Sequence, residues 1–185
     1  MKILLAACNA KYIHSNLAVY NLKSCSGEYS SRVVVKEYTI NQIRDDILKD
    51  IYLEQPDVVC FSCYIWNISF VRELIFDLKK ILPGTAFWVG GPEVSFDAEN
   101  FLKEMPQVTG VMVGEGEETF LELARYYIEK KGTLADIRGI AFRENGEIFH
   151  NGWREVMDLS RVPFAYEQTE DFANRIIYYE SSRGC

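Results

Sequence analysis

The chain has 185 residues, enough for one α/β domain with a short appendage but a tight fit for two full domains. Its 48% hydrophobic and 25% charged residues are typical of a water-soluble globular protein and argue against the disordered and fibrous classes. The net charge is −7 and the lysines and arginines are scattered, so no basic run could neutralise phosphates and nucleic acid is an unsuitable partner.

The N-terminus carries a short apolar run rather than a membrane segment. Residues 3–7 are apolar, but the run is too short to span a bilayer and is preceded by only one basic residue, Lys2. The five cysteines are odd in number and no export signal precedes them, which favours reduced thiols over a disulfide framework. We therefore expect a cytoplasmic protein with no membrane contact.

Strand and helix patterns alternate regularly through residue 132. Residues 2–8 form a continuous apolar run of the kind found in parallel strands buried on both faces. The predicted strands are 2–8, 32–40, 57–62, 86–89 and 108–113, and the predicted helices are 16–24, 42–54, 71–82, 99–105 and 119–131. Five successive β–α units imply right-handed crossovers. The sequence thus predicts an α/β fold, a doubly wound (Rossmann-like or flavodoxin-like) five-stranded parallel sheet with helices on both faces.

The rhythm changes after Gly132. Asn145-Gly146 stands between two alternating runs, which is a strong hairpin signal, and residues 158–173 have no clear period. Residues 175–180 are predicted to be one more strand. The expected organisation is a domain at 1–132, a hairpin and linker at 133–173, and the start of a further domain at 174–185.

Four loops follow predicted strands and should meet at the carboxyl edge of the sheet, where open α/β sheets bind ligands. They span residues 9–15, 62–67, 90–94 and 114–117. Each feature has two interpretations: the glycines admit a ligand or make tight turns, and His14 binds a ligand or caps a helix. The glutamates at 115–118 serve acid–base chemistry or stabilise the helix dipole. No phosphate-binding or dinucleotide-binding glycine motif follows a strand, which disfavours ATP and NAD.

The loop motifs resemble those of the cobalamin-binding domains, which carry Asp-x-His-x-x-Gly, Ser-x-Leu and Gly-Gly after their first, third and fourth strands. The matching stretches here are Tyr12-Ile-His14-Ser-Asn-Leu17, Ser62-Cys-Tyr64 and Gly90-Gly91, and their spacings of 48 and 28 positions are close to the family's. Tyr12 replaces the aspartate and Leu17 the glycine. Because the aspartate would orient a cobalt-ligating histidine, the resemblance implies that His14 does not coordinate cobalt.

Three stretches resemble the radical S-adenosylmethionine (SAM) branch of that family, in particular the group similar to the magnesium-protoporphyrin IX monomethyl ester oxidative cyclase. They are Gly90-Gly-Pro-Glu93, Gly114-Glu-Gly-Glu117, and residues 179–185 ending in Ser182-Arg-Gly-Cys185. In that branch the last stretch opens Cys-x-x-x-Cys-x-x-Cys, which holds a [4Fe–4S] cluster to which SAM binds. Cys185 would be the first cluster ligand in the full-length parent only, and a single thiolate holds no cluster.

The resemblance implies a cobalamin-binding module whose partner is the C-terminal radical barrel of the same parent chain, a truncated fragment without catalytic residues of its own. The parent would be an enzyme of the oxidative cyclase or methyltransferase type. The residues implied to contact cobalamin are Asn9, Ala10, Lys11, Tyr12, His14, Ser15, Ser62, Tyr64, Trp66, Asn67, Gly90, Gly91, Pro92, Glu93, Gly114, Glu115, Gly116 and Glu117.

Two other hypotheses remain. The same fold could be a scaffold that has lost cobalamin and only packs against the barrel, as the missing aspartate and glycine would favour. A flavodoxin-like electron carrier would share the sheet order, but it needs Ser, Thr and Gly residues after the first strand to hold a phosphate, and residues 9–14 contain none.

Overall fold

The computed structural model describes residues 1–166 and 169–183, and in it one mixed sheet carries helices on both faces. Its strands are β1 (Ile3–Asn9), β2 (Val33–Thr39), β3 (Val58–Ser62), β4 (Ala86–Gly90), β5 (Gly110–Met112), β6 (Ile140–Glu144) and β7 (Glu147–His150). Its α-helices are α1 (Leu17–Cys25), α2 (Arg44–Glu54), α3 (Ile68–Ile81), α4 (Pro92–Ser95), α5 (Ala98–Glu104) and α6 (Glu117–Glu129). Short 3₁₀ helices span Gly27–Arg32, Leu134–Asp136, Leu159–Arg161 and Thr169–Phe172.

The strand order is β2-β1-β3-β4-β5-β6-β7, and β1 to β5 are parallel. The predicted doubly wound parallel sheet is therefore confirmed. The strand count differs: β6 pairs with β5, so the hairpin adds two antiparallel strands to the sheet instead of standing apart from it. The chain leaves β1 toward β2 on one side and later crosses to β3 on the other, which makes the β1–β3 boundary the topological switch point.

The apolar strands are buried because helices cover both faces of the sheet. Along β1, Leu4 and Ala6 face a core shared with α2, α3 and α5, whereas Ile3 and Leu5 face a core shared with α1 and α6. All seven residues of β1 are buried, as expected of a central parallel strand. The two faces thus have separate cores, and α1 and α6 lie side by side on one of them.

Turn chemistry places the ends of several elements where the sequence predicts them. Gln55 takes a left-handed conformation, with φ of 47°, at the end of α2 and just before Pro56. In the hairpin, Asn145 and Gly146 both have positive φ, which a two-residue turn of this kind requires. Asn16 caps α1, because its side chain accepts a hydrogen bond from the Val19 amide.

The predicted strand at 175–180 is wrong. Only Ile176 forms a bridge there, to His14, and the stretch does not join the sheet. The side chains at 176–178 are about 41–43% exposed. This apolar stretch is therefore not buried between two layers of helices, as a central strand would be. The short helix α4 was not predicted. No helix in the described part of the chain combines the length and the apolar character needed to cross a bilayer.

Candidate functional site

A cavity of about 710 Å³ lies at the carboxyl edge of the sheet, on the face covered by α1 and α6. Leu5 of β1 and Ser62 of β3 both line it, so it straddles the topological switch point. Its volume is in the range of pockets that bury a small organic ligand or cofactor. The walls are mainly apolar, with a few polar groups at the rim. Its lining residues are Leu5, Leu17, Ala18, Val19, Asn21, Leu22, Cys60, Phe61, Ser62, Tyr64, Gly90, Gly91, Met112, Gly114, Glu115, Gly116, Glu117, Tyr179, Glu180, Ser181, Ser182 and Arg183.

The cavity brings together residues from three of the four predicted loops. Those that line it are Ser62, Tyr64, Gly90, Gly91, Gly114, Glu115, Gly116 and Glu117. The remaining predicted contacts lie outside this lining, and they are Asn9, Ala10, Lys11, Tyr12, His14, Ser15, Trp66, Asn67, Pro92 and Glu93. The first loop, the end of the second and part of the third therefore do not line the cavity in this structure.

Besides Leu5, Cys60, Phe61 and Met112 of the strands, two groups of lining residues outside the sheet were missed by the sequence reasoning. The first is the inner face of α1, where Leu17 and Asn21 are one helical turn apart. Asn21 is a buried polar residue on a helix face that otherwise packs into the core, and this was a usable signal. The second group is residues 179–183, far along the chain, for which the sequence carried no signal of proximity to the sheet edge.

The glycine pair after β4 lines the cavity and also lets two loops pack closely. Gly91 has φ of +113°, and a Cβ atom there would stand 2.4 Å from the carbonyl oxygen of Cys63. The Cys63 amide donates a 2.7 Å hydrogen bond to the Gly90 carbonyl. The glycines therefore have a structural role, because they allow two loops to pack backbone against backbone, and they add no side chain to the cavity lining.

Asn67 fixes the turn between β3 and α3. Its side-chain amide donates to the carbonyls of Cys8 and Ser62 at 3.0 and 2.9 Å, and its side-chain oxygen accepts from the Tyr64 amide at 2.8 Å. This buried residue joins the ends of the two central strands. The rings of Tyr64 and Trp66 stack with centroids 4.6 Å apart and planes at 4°, and of the two only Tyr64 lines the cavity.

Beside the first loop, Glu37 of β2 is the acceptor for a buried polar network. Its carboxylate accepts hydrogen bonds from the Asn9 side chain, the Asn16 amide and the Tyr20 hydroxyl at 2.6–2.9 Å. It also forms an ion pair with Arg175 at 2.7 Å. Burial and the Glu37 carboxylate raise the pKa of Tyr20 well above its ordinary value. This network holds both ends of the first loop, at Asn9 and Asn16, in position.

His14 is held by a phenol rather than by a carboxylate. Its Nδ1 lies 2.5 Å from the hydroxyl of Tyr178, and its backbone carbonyl accepts hydrogen bonds from the side chains of Asn9 and Arg175. The ring is thus engaged by the C-terminal part of the chain, outside the cavity lining. The absence of an aspartate at position 12 is consistent with this different partner.

Glu117 is the first residue of α6, and it is buried with a cationic partner. Arg183 donates to both of its carboxylate oxygens, at 2.7 and 3.2 Å, and the Glu117 side chain is only 6% exposed. Its position also favours the helix dipole. Glu115, two residues earlier, accepts from the Met157 amide at 2.8 Å. These contacts give both glutamates structural partners, and no described group near them forms an acid–base pair with a nucleophile.

The described thiols lie in places that keep them protonated. Burial raises the pKa of Cys8 to about 12 and that of Cys25 to about 11, and it also raises those of Cys60 and Cys63. Within residues 1–166 and 169–183, no group of His, Cys, Asp and Glu side chains is arranged to hold a metal ion. The predicted cluster ligand Cys185 lies outside the described residues.

Comparison with known proteins agrees with this geometry. The sequence model of the B12 binding domain matches residues 3–124, more than half of the chain. The cobalamin-dependent radical SAM methyltransferase TokK from Streptomyces tokunonensis is 30% identical over 93 residues, which cover 50% of this chain and 14% of that protein. The anaerobic magnesium-protoporphyrin IX monomethyl ester cyclase from Cereibacter sphaeroides is 27% identical over 96 residues, covering 51% of this chain and 16% of that protein.

Solved structures share the fold. The cobalamin-dependent SAM radical enzyme OxsB, with aqua-cobalamin and SAM bound, superimposes with a TM-score of 0.67 at 20% identity, covering 84% of this chain and 23% of that one. A cobalamin-binding protein from Desulfitobacterium hafniense DCB-2 gives a TM-score of 0.51 at 16% identity, covering 68% of this chain and 58% of that one. The present chain spans less than a quarter of the length of TokK, the cyclase and OxsB.

Proposed function

The chain belongs to the B12 binding domain family, and we propose that its cavity is the site at which a radical SAM enzyme holds cobalamin. The observation that carries the proposal is the cavity of about 710 Å³ at the β1–β3 switch point. That is where the loops of a doubly wound sheet diverge and where such sheets bind their cofactors.

The residues present fit the cofactor. The floor is formed by small groups, Ser62, Gly90 and Gly91, and the side wall by the apolar face of α1, so a flat ring such as that of the nucleotide tail could enter between helix and sheet. Asn21 and Ser62 supply polar groups in this wall. The Tyr64 ring, which lines the cavity and stacks on Trp66, supplies an aromatic surface suited to the corrin.

We further propose that His14 is not a ligand of cobalt. Its Nδ1 is engaged by the Tyr178 hydroxyl, and no carboxylate stands at position 12 to orient the ring toward the cofactor. The first loop, including Asn9, Lys11 and Ser15, would instead contact the rim of the corrin. Its backbone is held for that purpose by the Glu37 network.

The reaction belongs to the parent enzyme. When bound, cobalamin would supply a cobalt ion that can transfer a methyl group or an electron. A methyltransferase and a cyclase are among the relatives of this chain. The chain's own residues bind and orient the cofactor and exclude water from the apolar part of the cavity. Cys185 would provide the first thiolate of a [4Fe–4S] cluster in a C-terminal radical barrel, to which SAM binds. The protonated core thiols suit the reducing conditions of the cytoplasm.

A titration with hydroxocobalamin, followed by the shift of its corrin absorption bands, tests the proposal. We expect saturable, stoichiometric binding by the chain of residues 1–185. Ala18→Trp places a large ring in the cavity from α1 and should weaken binding by at least tenfold. Lys23→Trp, on the same helix but outside the lining, is the matched control. Gly91 is unsuitable as a blocking position, because any Cβ there would clash with Cys63 and damage the loops.

Two results would contradict the proposal. If the wild-type chain shows no binding at high cobalamin concentration, the fold is a scaffold that packs against the barrel. If Ala18→Trp and Lys23→Trp bind equally well, cobalamin binds elsewhere on the molecule. Circular dichroism of both variants would establish that each retains the fold before affinities are compared.

A further inference from the structure

The cavity has a wall that comes from outside the family region. Residues 175–183, which we call the C-terminal strap, follow the matched region by about 50 positions. Five consecutive residues of the strap, 179–183, line the cavity together with residues of α1. The cavity of about 710 Å³ exists with the strap in this position, so the strap bounds the space without filling it.

The strap is attached at its two ends by similar ion pairs. At its start, Arg175 pairs with Glu37 at 2.7 Å, and the two side chains are 14% and 7% exposed. At its end, Arg183 pairs with Glu117, with side-chain exposures of 21% and 6%. In each case the carboxylate is the more deeply buried partner and belongs to the sheet or to α6. Without the arginine, each would be a buried charge with no counter-ion.

The contacts of Arg183 are extensive. Besides its two hydrogen bonds to Glu117, it donates to both carboxylate oxygens of Glu180, at 3.0 and 2.7 Å, and lies 3.6 Å from Glu115. Three carboxylates therefore surround one guanidinium in the lining of the cavity. Arg183, two positions before Cys185, thus contacts the Gly114–Glu117 motif.

Apolar burial adds little to this attachment. Ile176, Ile177 and Tyr178 are about 41–43% exposed, and Tyr179 is 76% exposed. A segment held by a few polar contacts and little apolar area can open without unfolding the sheet beneath it. The two ion pairs, together with the hydrogen bonds between Ile176 and the first loop, therefore hold the strap closed, and Arg183–Glu117 is the ion pair at the cavity.

We propose that residues 179–183 are part of the cofactor site and that the Arg183–Glu117 pair is a latch that slows cofactor release. This inference rests on the proposed cobalamin function and adds to it. The strap closes over the part of the cofactor inside the cavity, and the cofactor leaves when the latch opens. Glu117 and Arg183 are accordingly positioning residues for the strap.

The dissociation rate of hydroxocobalamin tests the latch. Wild-type chain loaded with cobalt-radiolabelled hydroxocobalamin is diluted into excess unlabelled hydroxocobalamin, and the label retained is measured over time. Arg183→Gln and Glu117→Gln should each release the label about tenfold faster or more. The double variant Arg183→Glu with Glu117→Arg restores an opposite-charge pair, and it should recover part of the slow release.

Arg154→Gln is the matched control. Arg154 also pairs with carboxylates of α6, Glu118 and Glu122, but it does not line the cavity. It should release the label at the wild-type rate. Unchanged release from correctly folded Arg183→Gln would overturn the latch and leave the cobalamin proposal intact, whereas failure of the wild type to bind at all would remove the cobalamin proposal itself. Tighter binding by Arg183→Gln would show that the strap obstructs the site, and it too would overturn the latch.

Tryptic cleavage of the wild type gives a second measurement that needs no variant to fold. Trypsin cuts after arginine, and both ends of the strap carry one. Saturating hydroxocobalamin should slow cleavage after Arg175 and Arg183 severalfold, as read by mass spectrometry of the shortened chain. Equal cleavage rates with and without bound cobalamin would contradict closure of the strap over the cofactor.

Discussion

The central strands and the C-terminal strap are both rich in apolar residues, yet they are stabilised in different ways. In β1 and β3, Leu4, Leu5 and Val59 are completely buried between two layers of helices. In the strap, Ile177 and Tyr179 remain exposed, and the attachment comes from two arginines on buried glutamates and from hydrogen bonds of Ile176 to the first loop. The comparison shows that apolar burial fixes the architecture, whereas a few polar contacts between distant parts of the chain complete the cavity.

The largest expected effect on the free energy of unfolding comes from shortening an isoleucine in the core, compared with shortening one in the strap. Ile75→Ala in α3 removes a completely buried side chain and should lower the free energy of unfolding by about 2–5 kcal/mol, because it leaves a cavity in the core. Ile177→Ala in the strap, where the side chain is 42% exposed, should cost less than about 1 kcal/mol. Urea unfolding of both variants measures the two values. Equal losses would show that the strap is a second apolar core.

The next largest loss of stability is expected at Glu37 of β2, which pairs with Arg175 at the start of the strap. Glu37→Gln removes the charge that pairs with Arg175 while keeping the side chain's shape, and it should cost about 3 kcal/mol because the pair is buried. Hydrogen exchange should also accelerate at the Ser15 and Ile176 amides, which join the strap to the first loop. The Leu4 amide in β1 is the internal reference. Unchanged exchange at Ser15 and Ile176 would mean that the strap is held without this pair.

A smaller effect is expected in the core at alkaline pH. Burial raises the pKa of Cys8 to about 12, so the folded protein keeps this thiol protonated at pH values where the unfolded chain loses the proton. Its contribution to stability is complete below the unfolded pKa near 9 and is lost as the pH rises toward the folded value.

Urea unfolding at pH 8 and pH 10 measures this contribution. Between these values the wild type should lose about 1.4 kcal/mol more stability than Cys8→Ala does. The pH 8 difference between the two proteins gives the packing change alone and serves as the reference. Parallel pH dependences in the wild type and the variant would contradict burial of the Cys8 thiol.

The smallest effect is expected at an ion pair in solvent. Arg44 pairs with Glu73 and Asp77 on the outer surface of α2 and α3, and the Arg44 and Glu73 side chains are 41% and 60% exposed. Arg44→Ala should change the free energy of unfolding by less than about 1 kcal/mol, because exposed pairs gain little over hydrated charges. The same urea assay compares it with Glu37→Gln. A loss as large as that of Glu37→Gln would mean that burial does not distinguish the strap's ion pairs.

Local patterns made much of the molecule predictable. Continuous apolar runs located β1 and β3, helical spacing located α2 and α3, and Asn145-Gly146 located the hairpin, because each of these signals lies within a short stretch of chain. Strand-end glycines correctly indicated the edge that carries the cavity. The same local reasoning was misled at 175–180, where an apolar run is bound to the first loop instead of pairing within the sheet.

Contacts between distant residues required the tertiary structure. The pairing of β6 with β5 made the hairpin part of the main sheet, and the packing of α1 on the sheet and beside α6 placed Ala18 and Asn21 in the cavity wall. Arg183 and Glu117 are 66 positions apart, and nothing near either residue in the sequence specifies the other. The sequence by itself determined the α/β fold, the sheet edge and the family resemblance, since periodicity, turn residues and motifs are local. Only the folded chain decided which residues enclose the cavity, because that depends on where distant segments meet.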